Sequence, residues 1–165
     1  MKHLLKIFLF LVTTSVLTSC NTKEAYKPVQ GQWIKGTDQE KLKTIESQFR
    51  GFDKAMVEVG YRYQELYWAG QDENWDYANY QLNKINKAIK LGLIRRPKRA
   101  ASAENFLNYV IPEVKKSITA KNKETFNKNF EMMRTNCTSC HMAERKPFFT
   151  VQIPTDRQSP IRKEK

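Results

Sequence analysis

Turn-forming residues are scarce: the chain of 165 residues has six glycines and six prolines. A β-sandwich, with its many tight turns, does not fit that supply. Histidine occurs twice, at His3 and His141, and cysteine three times, at Cys20, Cys137 and Cys140. A structural zinc site therefore lacks a second pair of ligands. There is no internal repeat and no low-complexity tract. Acidic residues are outnumbered, 17 against 29 Lys and Arg, for a formal net charge of +12. The bases are spread along the whole chain, with one small cluster at Arg95, Arg96, Lys98 and Arg99. That spread, in a chain read below as exported, argues against nucleic acid. It fits acidic protein partners or anionic lipid surfaces, with a plain solvated surface as the alternative.

What is present begins with an address. In residues 1–19, Lys2 and Lys6 precede a mostly apolar run from Leu4 to Leu17. The run is short for a membrane-spanning helix and has the form of a signal-peptide core. Its end, Leu17-Thr18-Ser19-Cys20, resembles a bacterial lipobox. That resemblance implies a lipidated Cys20 at the mature N-terminus, whose acyl chains bury CH₂ groups at roughly 0.8 kcal/mol each. An ordinary secretory signal with Cys20 incidental is the other reading. Asn21, in place of the Asp that favours inner-membrane retention in enterobacteria, leans towards the outer membrane. The mature chain would carry a net charge of about +10. Residues 20–37 read as the lipidated Cys and a tether, with Pro28, Gly31 and Gly36 and little periodic apolar character.

From Asp38 the pattern becomes helical. Leu42, Ile45, Phe49, Phe52, Met56, Val59, Tyr63 and Leu66 are spaced by alternating threes and fours. The stripe predicts one helix capped by Asp38 and stopped at Gly70, about 45 Å long. A second stripe, Trp75, Ala78, Leu82, Ile85 and Ile89, predicts a helix ending near Gly92. Ser102 is the expected cap of a third, with Phe106, Val110, Val114 and Ile118 inward and a kink or irregularity at Pro112. A fourth carries Phe126, Phe130, Met133 and Cys137. The expected fold is all-α, an antiparallel four-helix bundle over residues 38–146. In the 147–165 extension, Pro147–Pro154 is expected to pack as an extended strap, and Arg157–Lys165 to be mobile.

Cys137-Thr138-Ser139-Cys140-His141 has the spacing of c-type haem attachment. Two thiols three positions apart reach the two vinyl groups on one edge of the macrocycle, and the adjacent histidine supplies the proximal imidazole. A redox disulfide is the competing reading of a CxxC, but such pairs open a helix after a strand and no βαβ pattern is present. One motif means one haem c. With His141 the single histidine after the signal, ligation by two histidines of this chain is excluded. The sixth position falls to Met, another donor, an exogenous ligand or nothing.

Together these features resemble the class II cytochromes c, the cytochrome c-prime family, over roughly residues 38–146. The resemblance implies a four-helix bundle, with the motif near the end of the last helix and dimers through the first two helices. In that family a basic residue commonly follows the proximal histidine by four positions; here it is Arg145. The aromatic expected before it is Glu144, and the extension from Pro147 is unlike typical members. Low-spin members place a Met from the first helix on the iron and transfer electrons. High-spin members leave that face empty, blocked by an apolar side chain, and bind NO or CO. Met56 is the distal candidate in the first case, with core filling as the plain alternative. Phe52, Val59, Tyr109, Val110, Phe126 and Phe130 are candidates to line or support the pocket. Tyr63, Tyr67 and Trp68 are candidates to hydrogen-bond near the haem. Arg134, Arg145 and Lys146 are candidate partners for the haem propionates.

The expected function is a one-electron carrier facing the periplasm, lipid-anchored and serving redox partner proteins. Gas binding at a five-coordinate haem is the alternative. A peroxidase-like enzyme ranks below both, because no distal histidine or acid–base pair is evident.

Overall fold

A computed structural model describes residues 26–163. The signal segment, Cys20 and the start of the tether lie outside these residues. The chain divides into two units, Met1–Gln48 and Phe49–Lys165. Among the described residues the regular structure is helical, with no strand.

The first unit contains α1 (Asp38–Gln48), none of whose residues is buried. Its cap is Thr37 rather than Asp38. Glu40 N donates to Thr37 Oγ1 at 3.3 Å and Thr37 N donates to Glu40 Oε2 at 2.7 Å. This reciprocal pair satisfies two of the donors that a helix start leaves open. The single helix expected from Asp38 to Gly70 does not form. Arg50 adopts φ 58° beyond the end of α1, and a new helix begins at Phe52.

The second unit holds α2 (Phe52–Gln71), α3 (Trp75–Arg95), a 3₁₀ turn (Pro97–Arg99), α4 (Ala100–Asn105), a π-helical turn (Phe106–Val110), α5 (Ile111–Thr119) and α6 (Lys123–Ala143). The short link at Asp72–Asn74 folds α3 back against α2, and α5 packs on α6. Links after α2 and α5 share one construction. Glu73 and Lys121 take φ 55° and 52°, closing the preceding helix. One residue later Asn74 and Asn122 cap the next, accepting from Tyr77 N and Thr125 N. Non-glycine residues carry these left-handed positions, in keeping with the glycine shortage.

α2 ends at Gln71 and α3 at Arg95, close to the ends expected at Gly70 and near Gly92, but neither glycine supplies a left-handed turn. Both are buried inside helices, where a Cβ on Gly70 would lie 2.0 Å from the Phe126 ring and one on Gly92 2.9 Å from Phe52. They permit close helix packing. Ser102 is likewise no cap: it lies inside α4, and its hydroxyl donates to Arg99 O at 3.0 Å. The irregularity expected at Pro112 takes the form of the π-helical turn immediately before α5. That turn accommodates a ring that lacks a donor and crowds the carbonyl four residues back.

All the inward residues expected for the third helix are buried, as are Phe126, Phe130 and Met133. The centre is aromatic. Phe130 stacks on Tyr63 with centroids 4.6 Å apart and meets Tyr67 at 5.1 Å, and Phe126 meets Trp75 edge-on at 5.9 Å. Such pairs add about 0.5–1.5 kcal/mol beyond the area they bury.

The segment after α6 packs as a strap without regular structure. Val151 N donates to Thr138 Oγ1 at 3.1 Å, Tyr63 OH to Gln152 O at 3.1 Å, and Arg134 Nη1 to Val151 O at 3.2 Å. The mobility expected from Arg157 onward does not hold at Arg157 itself. Its guanidinium forks onto Asp72 at 2.6 and 2.7 Å and lies 4.7 Å from the Trp68 ring centroid.

Candidate functional site

Cys137, Cys140 and His141 occupy the last turns of α6. Spacings of three and four put them on one face of that helix. The face borders an almost wholly apolar cavity of about 130 Å³, with Met56, Val59 and Tyr63 of α2 on its lining together with Phe106. The cavity adjoins a larger groove of about 610 Å³, and the two share Phe52, Met56, Cys140, His141 and Val151. The groove falls within the roughly 300–1,000 Å³ typical of cofactor sites.

Both thiols are free. Burial, and then the neighbouring Cys140, pushes the Cys137 thiol up to about 12. Burial also raises Cys140, opposed by the neighbouring Ser102 hydroxyl. A thiol-exchange site needs the opposite, a lowered value at a helix N-terminus, whereas this pair sits at a C-terminal end where the helix dipole disfavours thiolate. Among the described residues no three His, Cys, Asp or Glu side chains gather as a metal-holding cluster.

His141 is half-buried and its Nδ1 lies 2.7 Å from the carbonyl oxygen of Phe149. A carbonyl only accepts, so the neutral ring carries its proton on Nδ1 and keeps the Nε2 lone pair. That is the tautomer a metal-ligating histidine needs, and carbonyl partners of this kind are the usual means of fixing it.

Haem fits these residues on a further observation. Gly60 lies in the middle of α2 and lines the cavity, and a Cβ placed there would meet no atom within 4 Å. Glycine inside a helix costs about 1 kcal/mol relative to alanine, and no neighbouring protein atom requires it here. The position is exposed, and glycine there leaves the helix backbone accessible to a flat group. Two thiols, a histidine with a free Nε2, a thioether and an apolar slot with a bare stretch of helix make a donor set and a shape suited to haem c.

Of the remaining candidates, Phe52 and Val59 line the cavity, while Val110, Phe126 and Phe130 belong to the packed core. Tyr109 is exposed at 54% and points away from any lining role. Tyr67 packs on Phe130, and Trp68 lies beneath Arg157. Arg145 takes φ 59° just past α6, is exposed, and lines neither space. The cations that border the groove are Arg99 and Lys146. Arg134 is engaged by Glu131 and the strap. Glu144 pairs with Arg99 and lies against the Ser102 hydroxyl, tying the end of α6 to the start of α4.

Gly60, Arg99, Phe149 and Val151 were not singled out as site residues from the sequence. The cluster that contains Arg99 was visible as charge, and the strap that carries Phe149 and Val151 as a short apolar segment.

No protein-family model matches the chain, and comparison with curated proteins and with solved structures returned no match.

Proposed function

We propose that this chain is a monohaem c-type cytochrome built as an antiparallel four-helix bundle, resembling the cytochrome c-prime family, and that it carries single electrons outside the cytoplasm. One observation carries the reading: Met56 of α2 shares an apolar cavity with Cys137, Cys140 and His141 of α6. The thiols of Cys137 and Cys140 would form the two thioethers to haem c. His141 would supply the proximal nitrogen and Met56 the distal sulfur. Bound haem supplies a one-electron iron couple. The apolar lining would favour the less charged reduced state, and a thioether ligand would raise the potential in the same direction. Arg99 and Lys146 border the outer groove and provide cations for anionic haem substituents. Lipid on Cys20 would hold the protein at a bacterial membrane facing the periplasm, the outer membrane for preference, close to redox partner proteins, either as a monomer or as a homodimer.

The second reading is a five-coordinate haem that binds NO or CO. The packing of Met56 against the hydrophobic core favours it, because a side chain that only fills space there leaves the iron without a sixth protein ligand. Absorption spectra of the haem-loaded protein separate the two. Electron transfer predicts low-spin ferric and ferrous spectra, no change on adding CO, and loss of low-spin character in Met56→Ala. An immediate CO shift in the unsubstituted protein makes gas binding the function. Failure to attach haem in a host that matures c-type cytochromes refutes both.

A further inference from the structure

The His141 imidazole is held from outside its own helix. Its acceptor, Phe149 O at 2.7 Å, belongs to the strap that follows α6. The strap is pinned on either side of the cavity by Thr138, inside the attachment motif, and by Tyr63, on the facing helix. Arg134 adds a third hold at Val151 O. The Phe148 and Phe149 rings remain 68% and 55% exposed. Burial of those rings therefore does not explain why the backbone sits where it does. The polar pins and the partly buried Val151 and Ile153 do.

We infer that the segment Pro147–Ile153 is a proximal clamp, in which the Phe149 carbonyl sets the orientation and donor strength of His141 as an iron ligand. This rests on the haem reading above. A hydrogen bond from Nδ1–H to a carbonyl stops rotation of the ring and leaves more electron density on Nε2. A stronger nitrogen donor stabilises the oxidised iron, so the clamp lowers the reduction potential. Withdrawing the strap would also let water in, which lowers the potential too. Loosening the clamp without removing its cover is therefore the cleaner perturbation. Thr138→Val does this: it removes the acceptor for Val151 N and keeps both cysteines, the histidine and the whole strap.

The test compares the full chain, Thr138→Val, and a chain ended after Lys146, each matured with haem and labelled with ¹⁵N-histidine. His141 is the one histidine after the signal segment, so a single ring signal is read. Solvent exchange of the Nδ1 proton should be slow in the full chain, roughly fivefold faster in Thr138→Val, and unprotected in the shortened chain. The potential of Thr138→Val should rise. Nδ1 protons that exchange at one rate in the full chain and in Thr138→Val would overturn the clamp, whatever the shortened chain does, and so would a potential that does not rise. If attached haem, measured as the pyridine complex, is present while exchange is fast in the full chain, the clamp alone is wrong. If no haem is attached to the full chain, the haem reading falls and the clamp falls with it.

Discussion

Alanine at Gly60 should act with opposite sign on the haem-free and haem-loaded protein. Gly60 is inside α2, and its added methyl would find no atom within 4 Å. In the haem-free chain only the helix term changes, a gain of about 1 kcal/mol. For a domain of this size that raises the melting temperature by about 3–6 °C. In the loaded protein the same methyl enters the space proposed for a planar group. Overpacking of that kind costs about 1–3 kcal/mol, which cancels or reverses the gain. The assay is thermal unfolding by far-ultraviolet circular dichroism, run on the matured protein and on a Cys137→Ser/Cys140→Ser background that cannot attach haem. Gly70→Ala on the same helix is the control. Its methyl would collide with the fully buried Phe126 ring, so it should destabilise both forms, by up to about 2 kcal/mol net of the helix gain. An equal stabilisation by Gly60→Ala in both forms would show that haem does not approach α2 at this residue, and would remove the main shape argument for the site.

Phe130→Ala should cost about 3–5 kcal/mol in urea unfolding, because Phe130 is fully buried between Tyr63 and Tyr67. Asp72 is held below the usual carboxylate value first by the hydrogen bond from Arg157. Its folded value thus lies below its unfolded one. The contribution is present above about pH 4 and is lost as pH falls through the folded value, an effect on the order of 1 kcal/mol. Arg157→Ala should flatten that acid limb in melting temperatures measured at stepped pH; an unchanged limb would mean the pair adds nothing. Met56→Leu should behave as Met56→Ala in the ferric spectrum while keeping more stability, since leucine fills the cavity without supplying a ligand; a spectrum that stays low-spin would rule Met56 out as the sixth ligand.

The cavity wall formed by α6 was legible because its chemistry is local. The proposed attachment needs three side chains within five consecutive residues, so Cys137, Cys140 and His141 stand out by spacing. Met56 was legible at one remove, through a stripe that says which residues can face inward. The same stripe misled at Phe49–Gly51. Periodicity reports what a helix would bury, not whether the backbone stays helical, and it runs in phase across a break where Arg50 turns left-handed. Gly70 and Gly92 lay close to the real helix ends at Gln71 and Arg95, but they serve packing rather than termination. Glycine serves both helix ends and close packing, and here the ends fall to Glu73, Lys121 and Arg145, residues with no such signature. The contact from the strap to His141 leaves even less trace, because every residue at position 149 would offer the same carbonyl. Gly60 is the intermediate case. The residue is plain in the sequence, but its meaning is an empty volume, and that emerges only when α2 and α6 are brought face to face. The two parts of the site that the sequence hides, a backbone acceptor on one side and a bare helix on the other, are therefore the parts whose substitutions discriminate best between a haem seat and a merely well-packed helical core.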